Sequence, residues 1–273
     1  MRHPCLVLVL LACAALAGCT QMRVTERHFI RPDPPGTVLE KRFAGEAVRD
    51  LSVVARDGVL LNGILAERPD ARNTVLYFGG NMFHLDRHAD TLLATLGACR
   101  TNVAVFDYRG YGRSGGAPTV ENMKADALSL FDSLNARYPG RVIVHGQSLG
   151  SFMAAYVAQA RPVLGTVLET TATSATELVD AKMPWYARPF VRIEMDASLR
   201  QVDNRIAASR VRSPTLVIAA GKDEMTPAWM GKAVFDAIPG RDKQLLMLEK
   251  AGHNDALRSE GAIGTYCGFV QER

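Results

Sequence analysis

The chain has 273 residues, 48% hydrophobic and 22% charged, which is enough for one large domain with its own core. The formal net charge is +4, Lys and Arg are scattered, and aromatics make up only 7%. With no basic run or basic–aromatic stripe, the composition excludes a nucleic-acid partner and argues against a surface that stacks bases or sugars.

In chain order, the first element reads as an export signal. "MRHP" is a basic start, "CLVLVLLACAALA" an apolar run and "LAGC" a small-residue cleavage site, the three parts of a secretory signal peptide. Leu6–Ala17 is too short for a permanent membrane span. "LAGC" also resembles the lipobox of bacterial lipoproteins. That resemblance implies removal of residues 1–18 and lipidation of Cys19 on its thiol and new amino group; the alternative is an ordinary signal with a chance cysteine. More than one acyl chain would anchor the protein stably to a membrane. Thr20, standing where an aspartate could, resembles lipoproteins sent on to the outer membrane, so the expected location is the bacterial envelope, on the outer membrane facing the periplasm. Residues 19–46, polar and proline-rich around "RPDPPG", read as a tether. With Cys5 and Cys13 lost and Cys19 modified, Cys99 and Cys267 remain. An oxidising compartment permits them to pair; two buried free thiols are the alternative.

Residues 47–273 read as a single domain. "DLSVVA" and "VLLNGILAE" flank "RDG", a hairpin turn between two strands. Strands and helices then alternate. "TVLYFGG", "NVAVFDY", "RVIVHG", "LGTVLETT", "SPTLVIAAG" and "KQLLMLE" are apolar strands. "DRHADTLLATLGA" and "VENMKADALSLFDSLNARY" have helical spacing, with Leu92, Leu93 and Leu96 on one side of the former, and "SLGSFMAAYVAQA" is a third helix. This alternation predicts an α/β fold, a largely parallel sheet covered on both faces. Residues 169–212 lack one clear element and are expected to form a helix plus loops over the sheet edge, too short for a large lid domain.

The pattern G-x-S-x-G occurs twice, around Ser114 in "GRSGG" and around Ser148 in "GQSLG". A nucleophilic serine needs a sharp strand-to-helix turn with small residues on either side. Ser148 has a strand before it and an Ala-rich helix after it, whereas Ser114 sits between the loops "RGYG" and "GAP". Context therefore selects Ser148. A serine also needs a base oriented by an acid. Asp223 in "AAGKDEMTP" and His253 in "LEKAGHND" each lie just beyond a predicted strand. Parallel strands bring all three loops to one sheet edge, in the chain order Ser, Asp, His of a nucleophile-elbow enzyme. Glu224 and Asp255 are neighbours that a register shift would substitute, and Glu169 is an alternative acid. His84 and His88 stand four apart on a helix but lack the glutamate of H-E-x-x-H, so no metal is expected. His145 is expected to pack or hydrogen-bond below the turn.

From about Val48 onward the chain resembles the α/β-hydrolase superfamily, and within it the small, lid-poor group of acyl-protein thioesterase-like hydrolase-domain proteins. The residues that carry the resemblance are "YFGGN", "FDYRGYGRSGG", "HGQSLG", "GKDEMTP" and "AGHND". It implies Ser148 as nucleophile, Asp223 as acid, His253 as base, and an oxyanion hole made by the backbone N–H groups of Asn81, Met82 and Leu149. The chain departs from the pattern where Gly79 replaces a common histidine, which removes that side chain's support for the oxyanion loop. The resemblance further implies that the first and last helices cover the same face of the sheet, which would allow Cys99 and Cys267 to form a disulfide.

The expected function is a serine hydrolase of a small carboxylic ester or thioester, working through an acyl-enzyme, without a cofactor and held on a membrane by its lipid anchor. A peptidase of the prolyl-oligopeptidase type shares the triad, and an idle binding lipoprotein shares the fold. Met183, Trp185, Tyr186 and Phe190 are candidates for an apolar acyl wall, with core packing as the alternative. The chain carries no signal for an oligomeric state.

Overall fold

The computed structural model describes residues 20–33 and 47–273. The signal peptide, Cys19 and residues 34–46 of the expected tether lie outside the described residues. The core is an eight-stranded sheet in the order β10-β9-β7-β6-β4-β5-β3-β2. Its strands are β2 (Val48–Val54), β3 (Leu60–Ala66), β4 (Thr74–Phe78), β5 (Asn102–Phe106), β6 (Val142–Gln147), β7 (Gly165–Glu169), β9 (Thr215–Ala220) and β10 (Lys243–Leu248). Strands β2 and β3 form the expected hairpin, turning at Gly58 with φ +84°, and β3 joins β5 antiparallel. All other pairings in this sheet are parallel. Every residue of β4, β5, β7 and β9 is buried, which is why these strands read as unbroken apolar runs rather than as alternation.

Helices α1 (Leu85–Leu96) and α8 (Ala262–Gln271) cover one face, and α2 (Val120–Arg137) and α3 (Leu149–Ala160) the other. Leu85, Ala89, Leu92 and Leu96 of α1 are buried, while Leu93 is only partly so. Helix α2 starts in a reciprocal cap: the Thr119 hydroxyl accepts from the Asn122 amide, and the Asn122 side chain accepts from the Thr119 amide. A disulfide joins Cys99, just past α1, to Cys267 in α8, so the two thiols are not free.

Two expectations require correction. Residues 169–212 hold more structure than a helix plus loops: α4 (Ala175–Lys182), β8 (Val191–Met195), α5 (Ala197–Arg200) and α6 (Asn204–Ala208). Residues 20–33 do not hang free as a tether. Strand β1 (Thr20–Val24) pairs parallel with β8, from Thr20 opposite Val191 to Val24 opposite Met195. Val24 and Ile30 are buried, Glu26 accepts from the Val120 amide at the start of α2, and the Arg31 amide donates to the Tyr111 hydroxyl at 2.7 Å. Overall polarity hid an alternation of apolar and polar residues in "TQMRV" and "VRIEM". Helix α7 (Ala228–Ala237) completes the layer beside β9 and β10.

Candidate active site

The turn from β6 into α3 is as tight as the sequence implies. Ser148 has φ 53° and ψ −116°, a conformation that costs a non-glycine residue energy unless its surroundings hold it. The Ser148 amide donates to the Glu169 carbonyl at 2.9 Å, pinning the turn to β7. A Cβ on Gly146 would lie 2.2 Å from the Gly150 carbonyl oxygen, and one on Gly150 would lie 2.0 Å from that of Phe78. Both flanking glycines are thus required by backbone contact.

Ser148 Oγ lies 2.9 Å from His253 Nε2, and His253 Nδ1 lies 2.7 Å from Asp223 Oδ2. The three residues sit just beyond β6, β10 and β9, so parallel strands of the one sheet deliver them to the same edge. Asp223 Oδ1 accepts from the Met225 and Thr226 amides, both at 2.8 Å, and Oδ2 faces the Thr226 hydroxyl at 2.7 Å. Burial pushes the Asp223 carboxyl up, but the hydrogen bonds from His253 and Thr226 outweigh it and hold the pKa below the ordinary carboxylate value. This side chain therefore stays ionised against the imidazole.

The other candidates are occupied elsewhere. Ser114 is buried; its Oγ donates to the Asp107 carbonyl at 2.8 Å and accepts from the Asn62 amide at 2.9 Å. Asp255 accepts from the Gly252 amide at 2.6 Å and shapes the histidine loop. Glu224 is exposed, and its carbonyl takes the Lys182 ammonium. Glu169 turns away from His253: its Oε2 lies 3.0 Å from Nε2 of the fully buried His145, whose Nδ1 lies 3.1 Å from the Tyr266 hydroxyl. His145 and Glu169 thus form a buried pair beneath the elbow. The His88 ring accepts from the His84 amide at 3.0 Å, a local helix-start contact. Among the described residues no three His, Cys, Asp or Glu side chains converge as a metal site.

The loop after β4 abuts Ser148: a Cβ on Gly80 would fall 2.5 Å from Gln147 Oε1 and 3.5 Å from Ser148 Cβ. Asn81 and Met82 follow it, Met82 with φ +64°, and Leu149 opens α3 on the other side. The missing histidine has a structural substitute. Phe83 occupies its space, since a Cβ on Gly79 would sit 2.3 Å from the Phe83 ring. Support comes from two tyrosines: Tyr108 donates to the Gly79 carbonyl at 2.7 Å and Tyr111 to Asn81 Oδ1 at 3.1 Å. "DYRGYG" is thus a brace. Its Arg109 is buried between Asp126 of α2 and Asp57 of the hairpin, with bonds of 2.6–3.0 Å. Asp107, desolvated but accepting from the Leu85 and Arg113 amides, has a pKa raised to about 6.

Sequence reasoning missed Thr226, Gln147, Tyr108 and Tyr111. Thr226 was legible as the fourth residue of D-x-x-T, since an aspartate that accepts amides two and three residues on forms an Asx-type turn. Two surface cavities, of about 550 and 890 Å³, lie along β1, and no triad residue lines either.

A mostly parallel sheet with a strained serine elbow at its carboxyl edge defines an α/β-hydrolase. A family model described as serine aminopeptidase, S33, matches residues 69–205, and the chain belongs to that hydrolase family within the α/β-hydrolase superfamily. An uncharacterised protein of Mycobacterium tuberculosis H37Rv is 30% identical over 245 residues, covering 87% of this chain and 84% of its own length. Human alpha/beta hydrolase domain-containing protein 17B is 29% identical over 192 residues, 68% of this chain and 62% of its own. The fold is shared with the Pyrococcus furiosus esterase Pf2001, with TM-score 0.69 and 17% identity over 88% of this chain and 98% of that one. It is shared also with acetyl xylan esterase 1 of Thermoanaerobacterium, with TM-score 0.65 and 18% identity over 90% of each.

Proposed function

We propose that the protein is a serine hydrolase that cleaves a carboxylic ester or thioester through an acyl-enzyme, held in the bacterial envelope by lipids on Cys19. The observation that carries the chemistry is the continuous Ser148–His253–Asp223 hydrogen-bond chain at a strained elbow. Ser148 Oγ attacks the carbonyl carbon while His253 Nε2 takes its proton, and Asp223 holds the Nδ1–H and stabilises the imidazolium. Backbone N–H groups of Leu149 and of Asn81 or Met82 receive the oxyanion. The imidazolium then protonates the leaving alcohol or thiol. Water attacks the acyl-enzyme by the reverse route and releases the acid and free Ser148.

An apolar acyl group suits the rim of the site. Met82 in the oxyanion loop, Met225 in the acid loop and Trp229 at the start of α7 are each more than half exposed, although such side chains are usually buried. The Cys99–Cys267 disulfide supports export to an oxidising compartment, as does the lipobox-like "LAGC". A peptidase reading has one point in its favour, the aminopeptidase in the family's description.

Fluorophosphonate labelling of the mature chain, with the modified peptide located by mass spectrometry, tests the nucleophile. The expected label is on Ser148, absent in Ser148→Ala and greatly slowed in His253→Ala; an unlabelled folded protein overturns the reading. Turnover of short p-nitrophenyl esters in preference to aminoacyl-nitroanilides separates esterase from peptidase.

A further inference from the structure

The turn between α4 and β8 carries "WYARPF", three large aromatics within six residues. Trp185 is 80% exposed, Tyr186 64% and Phe190 57%. The core-packing alternative for these three residues is thereby revised: they stand outward. Trp185 and Tyr186 meet edge to face with ring centroids 6.0 Å apart, so the aromatics form a cluster supported by their own contact. Two cations flank it, Lys182 and Arg188, both exposed. Water around so much aromatic surface is costly, and a cluster of this kind marks a surface that meets an apolar or interfacial partner.

The position of the chain's N-terminal strand says which partner. The Thr20 amide donates to the Phe190 carbonyl at 2.8 Å, and Thr20 pairs with Val191. Cys19, the residue proposed to carry lipid, is joined covalently to Thr20. Any acyl chain on Cys19 would therefore be tethered through Thr20, whose amide bonds the Phe190 carbonyl. Trp and Tyr are the side chains that favour the headgroup level of a bilayer, with the ring in the acyl boundary and the polar edge in water. Lys182 and Arg188 match anionic headgroups. The same segment reaches the triad: Lys182 donates to the Glu224 carbonyl, next to Asp223.

We infer that Trp185, Tyr186 and Phe190 form a second membrane contact, seated in the headgroup region of a phospholipid bilayer beside the lipid anchor. One acyl-anchored residue leaves a protein free to swivel; an aromatic contact beside it fixes the orientation. The Asp223 loop is then held on the membrane side, where an acyl substrate would be carried. The inference rests on the lipidated-hydrolase reading for its setting, but the contact itself needs neither lipid on Cys19 nor turnover.

The test uses the mature chain with Cys19→Ala, which carries no lipid, and with Trp229→Phe. These changes leave Trp185 as the single tryptophan, because the chain has only two. Vesicles of phosphatidylethanolamine with phosphatidylglycerol are added, and tryptophan emission and co-sedimentation are followed. The expected result is a blue shift of Trp185, quenching by lipids brominated near the headgroup, and weaker binding to uncharged vesicles. Tyr186→Ala with Phe190→Ala should lower partitioning roughly tenfold or more while the chain retains its native melting transition. Unshifted emission with both kinds of vesicle overturns the inference. So does a shift produced by a soluble short-chain ester but not by vesicles, which would make the turn part of the acyl site. Failure of lipidation would appear separately, as an unmodified Cys19 in the mass of the exported wild-type chain.

Discussion

Gly112–Gly116 and Gly146–Gly150 match the same five-residue pattern, yet the two turns do opposite things with their serine. At Ser148 the chain leaves a buried strand, enters a helix at once and is forced to φ 53°. Oγ is left facing an imidazole. At Ser114 the glycines relax a loop, and the hydroxyl turns inward to bond the Asp107 carbonyl and the Asn62 amide. The acids nearby differ in the same sense. Asp223 is held below the ordinary carboxylate pKa by donors that outweigh its burial, whereas burial dominates at Asp107 and lifts it to about 6. A glycine-flanked serine is brought against an imidazole by the elements on either side of it, and the five letters alone do not supply them.

The sharpest way to break this contrast is to remove each hydroxyl. Ser148→Ala is expected to lower kcat by on the order of a millionfold with the melting temperature nearly unchanged; residual turnover above a hundredth of wild type would return the nucleophile to another side chain. Gly150→Ala places a methyl group 2.0 Å from the Phe78 carbonyl oxygen. It should cost about 3 kcal/mol or more and abolish labelling of Ser148, measured by denaturant unfolding beside fluorophosphonate reactivity. Gly115→Ala, where the nearest atom to a new Cβ is 3.7 Å away, should leave both unchanged.

The two acids sharpen the comparison through pH. Asp107 keeps its proton in the folded protein up to about pH 6, while the unfolded chain releases it near pH 4. Stability from this group is therefore greatest below pH 4 and falls by on the order of 2–3 kcal/mol as pH rises across that window. Asp223 runs the other way: with a folded pKa below the unfolded one, its contribution is complete above about pH 4 and is lost as pH falls through the folded value. Unfolding titrations from pH 3 to 7 on Asp107→Asn and Asp223→Asn should show differences from wild type of opposite pH slope. The smallest effect belongs to Ser114→Ala, which leaves a buried amide and carbonyl short of a partner. It should cost about 1–2 kcal/mol with kcat unchanged, and a loss of labelling there would mean the loop bears on the elbow more directly than its contacts imply.

The succession of strands and helices, the covering of both faces of the sheet and the positions of Ser148, Asp223 and His253 could be read from the sequence because each rests on local pattern: β-branched runs, a 3.6-residue period, and an acid or a histidine just past a strand. The order of the strands within the sheet could not. The support of the loop at residues 79–82 was not legible. Gly79 reads as a loss, and only the fold reveals that Phe83 fills the space and that Tyr108 and Tyr111 arrive from a loop some thirty residues on. Strand β1 escaped for a similar reason. Three of its five residues, "TQMRV", are polar, and its partner β8 lies 173 residues away between Gln21 and Glu194, which bond each other at 2.7 Å. Pairing at that separation leaves no local signal.

The bond between Cys99 and Cys267 makes the molecule a ring with a tail. Residues 99–267 form a closed covalent loop, spanning 168 positions, and Ser148, Asp223 and His253 all ride on it. The loop that abuts Ser148, residues 79–82, rides on the tail. A protease that reaches the exposed turn after Lys182 would open the ring without releasing a piece. On a non-reducing gel the nicked chain would run as one band, with Ser148 and His253 still on one molecule, and only a reductant would part them.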